Sequence, residues 1–399
     1  MATRWVVADL RTGDRLMDIP VVSGTWDDPL NTAESLSATI SVRDPQVQKL
    51  APRSATTPAK TILAALDGDT FLAGGPIWAR RYDRDKGTVT LGAAGMQSIG
   101  DHRLILPVIA QTLGVNQFII PDPTDTKKTI PNPQLQTAYT GLWLGTILKR
   151  VLQQAIAWTG GALPIIFQPD ETSTNTDHDR TIEGTEFRKI GDFIRDTTRV
   201  IGGPEVNFQG RLRADRKGIE FLFQTGTGAQ PLITSTSDVV WNLTAPKSPI
   251  SNFQVDEDAT GLASVAWQVG GRSTDTVLTS RQTDSFLTDA GFPLLESFDS
   301  SHTDVSKQAT LDGWAAADLQ RRPLETWSFD AQMHGKPSIA EYAVGDFHTI
   351  RIAKYNRKAR IGDPWFPQGG DFRRRLVGRS GTHKGDVVKL QFAPALEEN

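Results

Sequence analysis

From Leu36 to Val42 the chain runs Leu-Ser-Ala-Thr-Ile-Ser-Val, with Leu36, Ala38, Ile40 and Val42 on one face of an extended segment and Ser37, Thr39 and Ser41 on the other. That period of two belongs to a strand buried on one side. Shorter runs of the same kind surround it: Trp5 to Ala8, Leu16 to Val22, Thr61 to Leu66, Phe71-Leu72, Ile77 to Arg80 and Thr88 to Leu91. Turn signals separate them at Thr12-Gly13-Asp14, at Asp67-Gly68-Asp69 and in the loop holding Lys86-Gly87. Asp44-Pro45 ends the alternating strand and opens a short helix from Gln46 to Leu50, and Pro52 to Pro58 is expected as loop. Asp27-Asp28 reads as a turn before Pro29.

The pattern changes after about residue 101. Trp143, Ile147, Leu148, Val151, Leu152, Ala155 and Ile156 recur at helical spacing, with Thr140 as the expected cap and Gly160-Gly161 as the stop. A second helix is expected from Thr185, with Phe187, Ile190, Phe193 and Ile194 inward. From Glu205 onward strands return: Val206 to Phe208, Ile219 to Phe223, Val239 to Leu243, Ser264 to Val269, Thr326 to Ala331, Phe347 to Ile352, Arg374 to Val377 and Val387 to Phe392. One helix interrupts them at about 305–321, with Leu311, Trp314, Ala315 and Leu319 as its stripe, Asp304 as cap and Pro323 beyond.

Composition narrows the chemistry. With no cysteine, the 399 residues can build no disulfide, thiolate metal site, iron–sulfur cluster or cysteine nucleophile. The formal charge of −3 gives no global field for nucleic acid. No apolar run has the length of a membrane span, and Asp9 precedes any apolar core of signal-peptide length, so neither membrane insertion nor a secretory signal is expected. No HExxH, Walker or complete GxGxxG pattern occurs; Gly226-Thr227-Gly228 reads as a hairpin turn and Asp177-His178-Asp179 as a solvated loop. Ser380, in Gly378-Arg379-Ser380-Gly381, lacks the glycine spacing of a nucleophile elbow. No catalytic residue, metal ligand or cofactor is expected.

Charge is unevenly placed. Residues 351–385 hold ten Lys/Arg against two Asp, including Arg373, Arg374 and Arg375. Residues 251–305 hold nine Asp/Glu against two Arg, including Asp256, Glu257 and Asp258. Three readings are open: two solvated faces, complementary faces between subunits, or phosphate contact with DNA, where Trp365, Phe366 and Phe372 could stack on bases. As interface candidates the sequence offers Arg373, Arg374, Arg375, Trp365, Asp256, Glu257 and Asp258. An internal echo is also present: Ile77-Trp78-x-Arg80 leading to Lys86-Gly87-x-Val89, and Leu376-Val377-x-Arg379 leading to Lys384-Gly385-x-Val387. It marks either two unrelated hairpins with ordinary turns or two related barrels.

The C-terminal succession PLLESFDSSHTDVSKQATLDGWAAADLQRR, EYAVGDFHTIRI and FRRRLVGRSGTHKGDVVKLQFAPA, with GGPIWARRYDRDKGTVTLGAAGMQSIGDHRLI near the N-terminus, resembles the tail hub proteins of long-tailed bacteriophages, the siphovirus minor tail proteins related to myovirus baseplate hubs. The resemblance covers both ends of the chain, some 200 residues, by pattern rather than by an invariant motif. It implies a mixed, mainly β fold with two tail-tube-like β-barrels flanking an α/β middle section: a first barrel over 1–103, a middle domain over 104–235, and a second barrel region over 236–399 carrying the inserted helix. It further implies a structural virion protein without enzymatic activity, a homotrimer assembled in the host bacterial cytoplasm. That trimer would close the distal end of the tail tube and contact the distal tail protein, the C-terminus of the tape-measure protein and tip or fibre proteins, with DNA only in transit through its lumen. The alternatives are a distal tail or fibre-attachment protein and, from another class, a cell-wall-active tail enzyme.

Overall fold

The computed structural model describes residues 3–171, 178–200, 202–235, 238–273, 276–302, 307–320 and 325–394. Asp177, the boundary at residue 236, Asp304, Val305, Arg321, Pro323 and the tail Glu397-Glu398-Asn399 lie outside the described residues.

Seven antiparallel strands form the N-terminal part: β1 (Arg4–Asp9), β2 (Arg15–Asp18), β3 (Ser23–Pro29), β4 (Ser35–Ser41), β5 (Thr61–Asp67), β6 (Thr70–Asp83) and β7 (Thr88–Ala94). Their order is β3-β4-β7-β6-β5-β1-β2. β2 lies against β1 and β3 against β4, so the one segment 15–29 borders both ends of the sheet. The Ile19 N–H to Trp5 and Val22 N–H to Thr39 carbonyl bonds draw those ends together. The sheet is therefore barrel-like, curled round a core rather than closed by an unbroken ladder. The alternating strand is β4, with Leu36, Ala38 and Ile40 buried as its period requires. Asp27 and Asp28 are not a turn; both lie in β3, Asp27 paired with Ser35 and Ser380 and Asp28 with Arg379. The segment from Leu16 to Val22 is strand only as far as Asp18. Two short helices, α1 (Pro45–Lys49) and α2 (Pro52–Ala55), bridge β4 and β5, and α2 occupies part of the expected loop.

The middle section packs on this sheet. It contains the hairpin β8 (Ile119–Pro121) and β9 (Thr129–Pro131), then β10 (Thr137–Leu142), α3 (Leu144–Ile156), β11 (Ile165–Phe167), β12 (His178–Ile182), α4 (Ile190–Thr198), β13 (Val206–Leu212) and β14 (Ile219–Thr225). β14 pairs with β11 in parallel and β13 antiparallel. Leu144, Ile147, Leu148, Val151 and Leu152 of α3 join Phe193 and Ile194 of α4 and Phe208, Phe221 and Phe223 in one apolar cluster. That cluster also takes Val6 and Ala8 of β1 and Ile62, Ala64 and Leu66 of β5, while Trp5, Val7, Leu63 and Ala65 point the other way into the curled sheet. Burial on both faces explains why Thr61 to Leu66 is apolar without alternation. Each large aliphatic side chain so buried contributes roughly 2 kcal/mol. Two helix starts differ from the sequence reading. Thr140 lies in β10 and Trp143 precedes α3; α4 begins at Ile190, and Phe187 stays half-exposed, stacked on Phe118.

The C-terminal part holds β15 (Val239–Asn242), β16 (Ile250–Glu257), an inserted lobe of β17 (Val265–Ser273), β18 (Thr276–Thr283), α5 (Phe286–Asp289), β19 (Glu296–His302) and α6 (Gln308–Gln320), then β20 (Glu325–Gln332), β21 (Phe347–Ile352), β22 (Gly370–Thr382) and β23 (Val387–Pro394). In the lobe α6 lies on the three-stranded sheet through Ala315 and Leu319. The other six strands follow the order β16-β20-β23-β22-β21-β15, which repeats β3-β4-β7-β6-β5-β1 strand for strand. The one change of sense is at the end, where β15 and β21 are parallel and β1 and β5 antiparallel.

The repeat extends to the register. Ile77 faces Ala93, the ladder slips by a residue, and Arg80 faces Leu91; Leu376 faces Phe392, the ladder slips at the same place, and Arg379 faces Leu390. The echo in the sequence is thus two hairpins bulged at one equivalent position, a conserved device for bending a strand within a repeat. Ala59 N–H binds the Ile77 carbonyl as Gly345 N–H binds that of Leu376, and both donors have positive φ. Each half also buries a tryptophan on its first strand, Trp5 or Trp241, whose indole donates to a histidine Nδ1.

Trp241 donates to His348 at 2.8 Å, so the imidazole is neutral with its proton on Nε2. Burial pushes His348 down to about 4, against weaker opposition from Asp346 and Asp238. An unfolded chain binds that proton below about pH 6.5 while the folded one does not, so stability falls as pH drops through this window. Unfolding in denaturant at pH 7 and pH 5 should show His348→Gln losing about 2 kcal/mol less than the parent chain across that interval. Equal losses would mean that His348 titrates normally.

Candidate functional site

The two halves meet edge to edge. Residues Gly378 to Thr382 of β22 pair antiparallel with Pro29 to Thr25 of β3, making a single sheet from β16 to β2. Two glycines allow this approach: a Cβ at Gly24 would fall 2.6 Å from the Trp5 ring, and one at Gly381 2.7 Å from that of Trp26. Trp5 then donates its indole N–H to His383 at 3.0 Å, tying the first strand of one half to the last hairpin of the other. Trp5, Trp26, Trp241, Trp327, Phe329 and Phe392 belong to one apolar cluster running through both halves.

Ion pairs lock the joint from its polar side. Arg379 donates through Nε to Asp28 at 2.8 Å. Arg375 grips both carboxylate oxygens of Glu205 and also donates to the carbonyls of Gly345 and Ile233 at 3.0 and 2.9 Å. Glu205 in turn accepts from the Ile233 N–H at 2.8 Å. Both side chains are over nine-tenths buried, so this fork–fork pair joins the middle section to β22 where water cannot substitute. Asp346 accepts from the Ala343 N–H and caps the Ser235 N–H.

Beside the joint lies a cleft of about 350 Å³, lined among others by Asp28, Glu34, Phe71, Gln209, Tyr342 and Arg379. Glu34 is buried at its floor and accepts the Gly74 N–H at 3.0 Å. Loss of solvent, then the neighbouring Asp28 charge, raise the Glu34 carboxyl well above its usual range. Burial also raises Asp28, against the pull of Arg379. Two carboxyls and one guanidinium thus share the floor, each already engaged within the chain, which suits a structural lock better than acid–base work on a substrate.

The sequence candidates divide. Arg374 and Arg375 are buried: Arg374 lies over the Trp327 ring at 4.5 Å and donates to Glu325, so both guanidiniums are engaged in the chain's own packing. Arg373 is exposed, its guanidinium 4.6 Å from the Phe347 ring. Phe366 and Phe372 pack on Trp327, whereas Trp365 remains 71% exposed. Asp256, Glu257 and Asp258 are exposed at the end of β16. Gly226-Thr227-Gly228 is a turn, closed by the Thr227 N–H to Gln230 bond, but it leads into another sheet and is no hairpin. Asp179 caps the Gly141 N–H and His178 lies against Trp143. Among the described residues no three His, Asp or Glu converge as metal ligands, and no helix is long and apolar enough to cross a membrane. Sequence reasoning missed Asp28, Glu34, Glu205 and His383, which are joined to their partners only by tertiary structure; Arg379 was visible through the echo.

No protein-family model and no curated protein matches this sequence. Among solved structures, the 43 kDa tail protein of prophage MuSo2 from Shewanella oneidensis is similar over 98% of both chains, with a TM-score of 0.53 and 8% identity. The tail protein from Neisseria meningitidis MC58 is similar over 99% of this chain and 97% of its own, with a TM-score of 0.52 and 12% identity. The likeness is one of fold, and it runs from end to end.

Two variants test the lock. Arg375→Met strands the Glu205 carboxylate in a buried site and should lower unfolding free energy by about 3 to 5 kcal/mol; a loss below about 1 kcal/mol would show that the pair does not hold the joint. Glu34 keeps its proton in the folded chain above the pH at which the unfolded chain has lost it, so folding weakens as pH rises from about 4.5 upward. Glu34→Gln should therefore match the parent near pH 4 and exceed it at pH 8 in denaturant unfolding, and a variant weaker than the parent at pH 8 would contradict this.

Proposed function

We propose that the chain is a structural component of a phage or phage-derived tail, and within that tail the hub. In this reading three copies form a ring at the distal end of the tail tube. The ring receives the distal tail protein on one side, holds the end of the tape-measure protein, and carries tip or fibre proteins on the other. DNA passes through it in transit, and no copy does chemistry. The chain assembles in the cytoplasm of the host bacterium and ends in the virion.

The observation that carries the reading is the doubled sheet. One chain holds two curled halves of the same strand order and the same bulge, joined side by side, so three chains present six such units. Tail proteins of two other prophage or bacterial sources share this fold over their whole length, which supports a role in the tail. The engaged state of Asp28, Glu34 and Arg379 supports rigidity over catalysis.

The test is genetic and visual. In the particle-producing strain, removing the gene should leave particles without complete tails, and a tagged full-length copy should restore them with label confined to the distal tip. Normal tails and infectivity without the gene, or label spread along the shaft, would contradict the assignment.

A further inference from the structure

The two halves join one equivalent pair of strands in very different ways. β5 passes to β6 through Gly68 and Asp69 alone, whereas β21 passes to β22 through residues 353–369. The first half builds its sheet with the short turn, so the repeat does not account for the long connection. A connection of that length within a folded unit is commonly kept for binding.

The long connection is nonetheless held in place. The Tyr355 N–H donates to the Pro367 carbonyl at 3.2 Å and closes its stem. Beyond the stem, Asn356 and Ile361 exchange backbone bonds at 2.8 and 3.3 Å, and the Asn356 side chain accepts the Lys358 and Ala359 N–H groups. This forms one turn, carrying Arg357, Lys358 and Arg360. Asp363 accepts the Trp365 N–H at 2.7 Å and forms a second, with Pro364 and Trp365 at its tip. Gly362 links the two turns, so close to the stem that a Cβ there would fall 2.5 Å from the Ala353 carbonyl oxygen. Phe366 turns inward against Trp327 and Phe253 and fixes the loop to the core.

What the loop offers to solvent is basic and apolar. Lys354, Arg357, Lys358 and Arg360 are exposed, and among the described residues no carboxylate pairs with any of their side chains. The acids nearest in sequence are already used. Asp363 holds the second turn, and Arg351 holds both oxygens of Asp371 at 2.7 and 2.8 Å. The same loop exposes Tyr355, Ile361 and Trp365.

Four free cations fit a polyanion, and the apolar residues decide which. Duplex phosphates would engage the cations and leave Ile361, Pro364 and Trp365 in water. Stacking on bases wants a platform of rings, but Phe366 and Phe372 lie on Trp327 and only Trp365 is left. An anionic bilayer uses both kinds of residue. Its headgroup phosphates attract Lys and Arg, and an indole, apolar with one polar N–H, settles at headgroup depth. We infer that residues 353–369 dock the chain reversibly on a bilayer containing anionic phospholipid, with Trp365 entering the headgroup layer and Lys354, Arg357, Lys358 and Arg360 meeting the phosphates. The contact rests on the loop alone; only its use at a tail tip rests on the hub reading.

Flotation of the full chain with vesicles tests this. At low salt the chain should rise with phosphatidylcholine vesicles containing about one-third phosphatidylglycerol and stay behind with phosphatidylcholine alone. Salt at about 0.5 M should release it. Arg357→Gln with Lys358→Gln should weaken binding about twentyfold, roughly fivefold for each charge, and Trp365→Ser about tenfold. Lys127→Gln with Lys128→Gln, on the exposed connection between β8 and β9, removes the same charge elsewhere and should leave binding as it is. All these side chains are exposed, so the variants should unfold with the parent in denaturant. No flotation at low salt, equal flotation with neutral vesicles, or equal losses from the loop and hairpin variants overturns the proposal. So does a chain that binds a DNA duplex more tightly than the vesicles while Trp365→Ser makes no difference. Loop-dependent flotation by a chain that labels no tail tip would keep the membrane contact and remove the hub assignment.

Discussion

The pairing of β3 with β22 is the constraint on which the rest of the molecule depends. It makes one sheet from strands separated by some 350 residues of chain, and the two largest hydrophobic clusters form against that sheet. The apolar interior supplies most of the stability but little direction, since hydrophobic contact is largely indifferent to angle. Direction comes from polar groups at the joint. Trp5 to His383, Arg379 to Asp28 and Arg375 to Glu205 each pair a residue of the last hairpin with one from an earlier part of the chain. A buried pair of this sort costs desolvation and returns geometry.

Duplication explains the division of roles among residues of the same type. Arg80 and Arg379 occupy equivalent places in two equivalent hairpins, yet among the described residues Arg379 pairs with a carboxylate and Arg80 with backbone carbonyls. Likewise Asp28 of β3 is largely covered at the joint, while Glu257 of β16, the strand in the same place of the other half, lies open to solvent. The acidic and basic blocks of the sequence sort along the same lines. Arg374 and Arg375 belong to the interior, and the acidic end of β16 belongs to the surface.

Much of this was legible in the residues. The alternation from Leu36 to Val42, the turns around β5 to β7 and the helical stripe beginning near Trp143 each came from a local period that burial on one face enforces. The echo of Arg80 and Arg379 held the repeat in outline. Other features were hidden because their cause is not local. Asp27-Asp28 looks like a turn in isolation and becomes strand only because β4 and β22 flank it. Thr140 offers a cap but falls within β10, at the irregularity in its pairing with β12. The run Arg373-Arg374-Arg375 reads as one basic patch, but successive strand residues face opposite ways, and Glu205 and Glu325 draw two of the three inward. No spacing in the sequence announces a partner some 170 positions distant.

Taken as the tail hub proposed above, the chain is a doubled unit whose two halves share one sheet. Cryo-electron microscopy of the tail tip in intact particles tests this most directly, at a resolution that separates strands. The expected density is a ring of copies at the distal end of the tube, each with residues 378–382 running antiparallel to residues 25–29 of the same chain at ladder spacing. A tip lacking the chain, or copies whose two halves stand apart without the β3–β22 pairing, would contradict it.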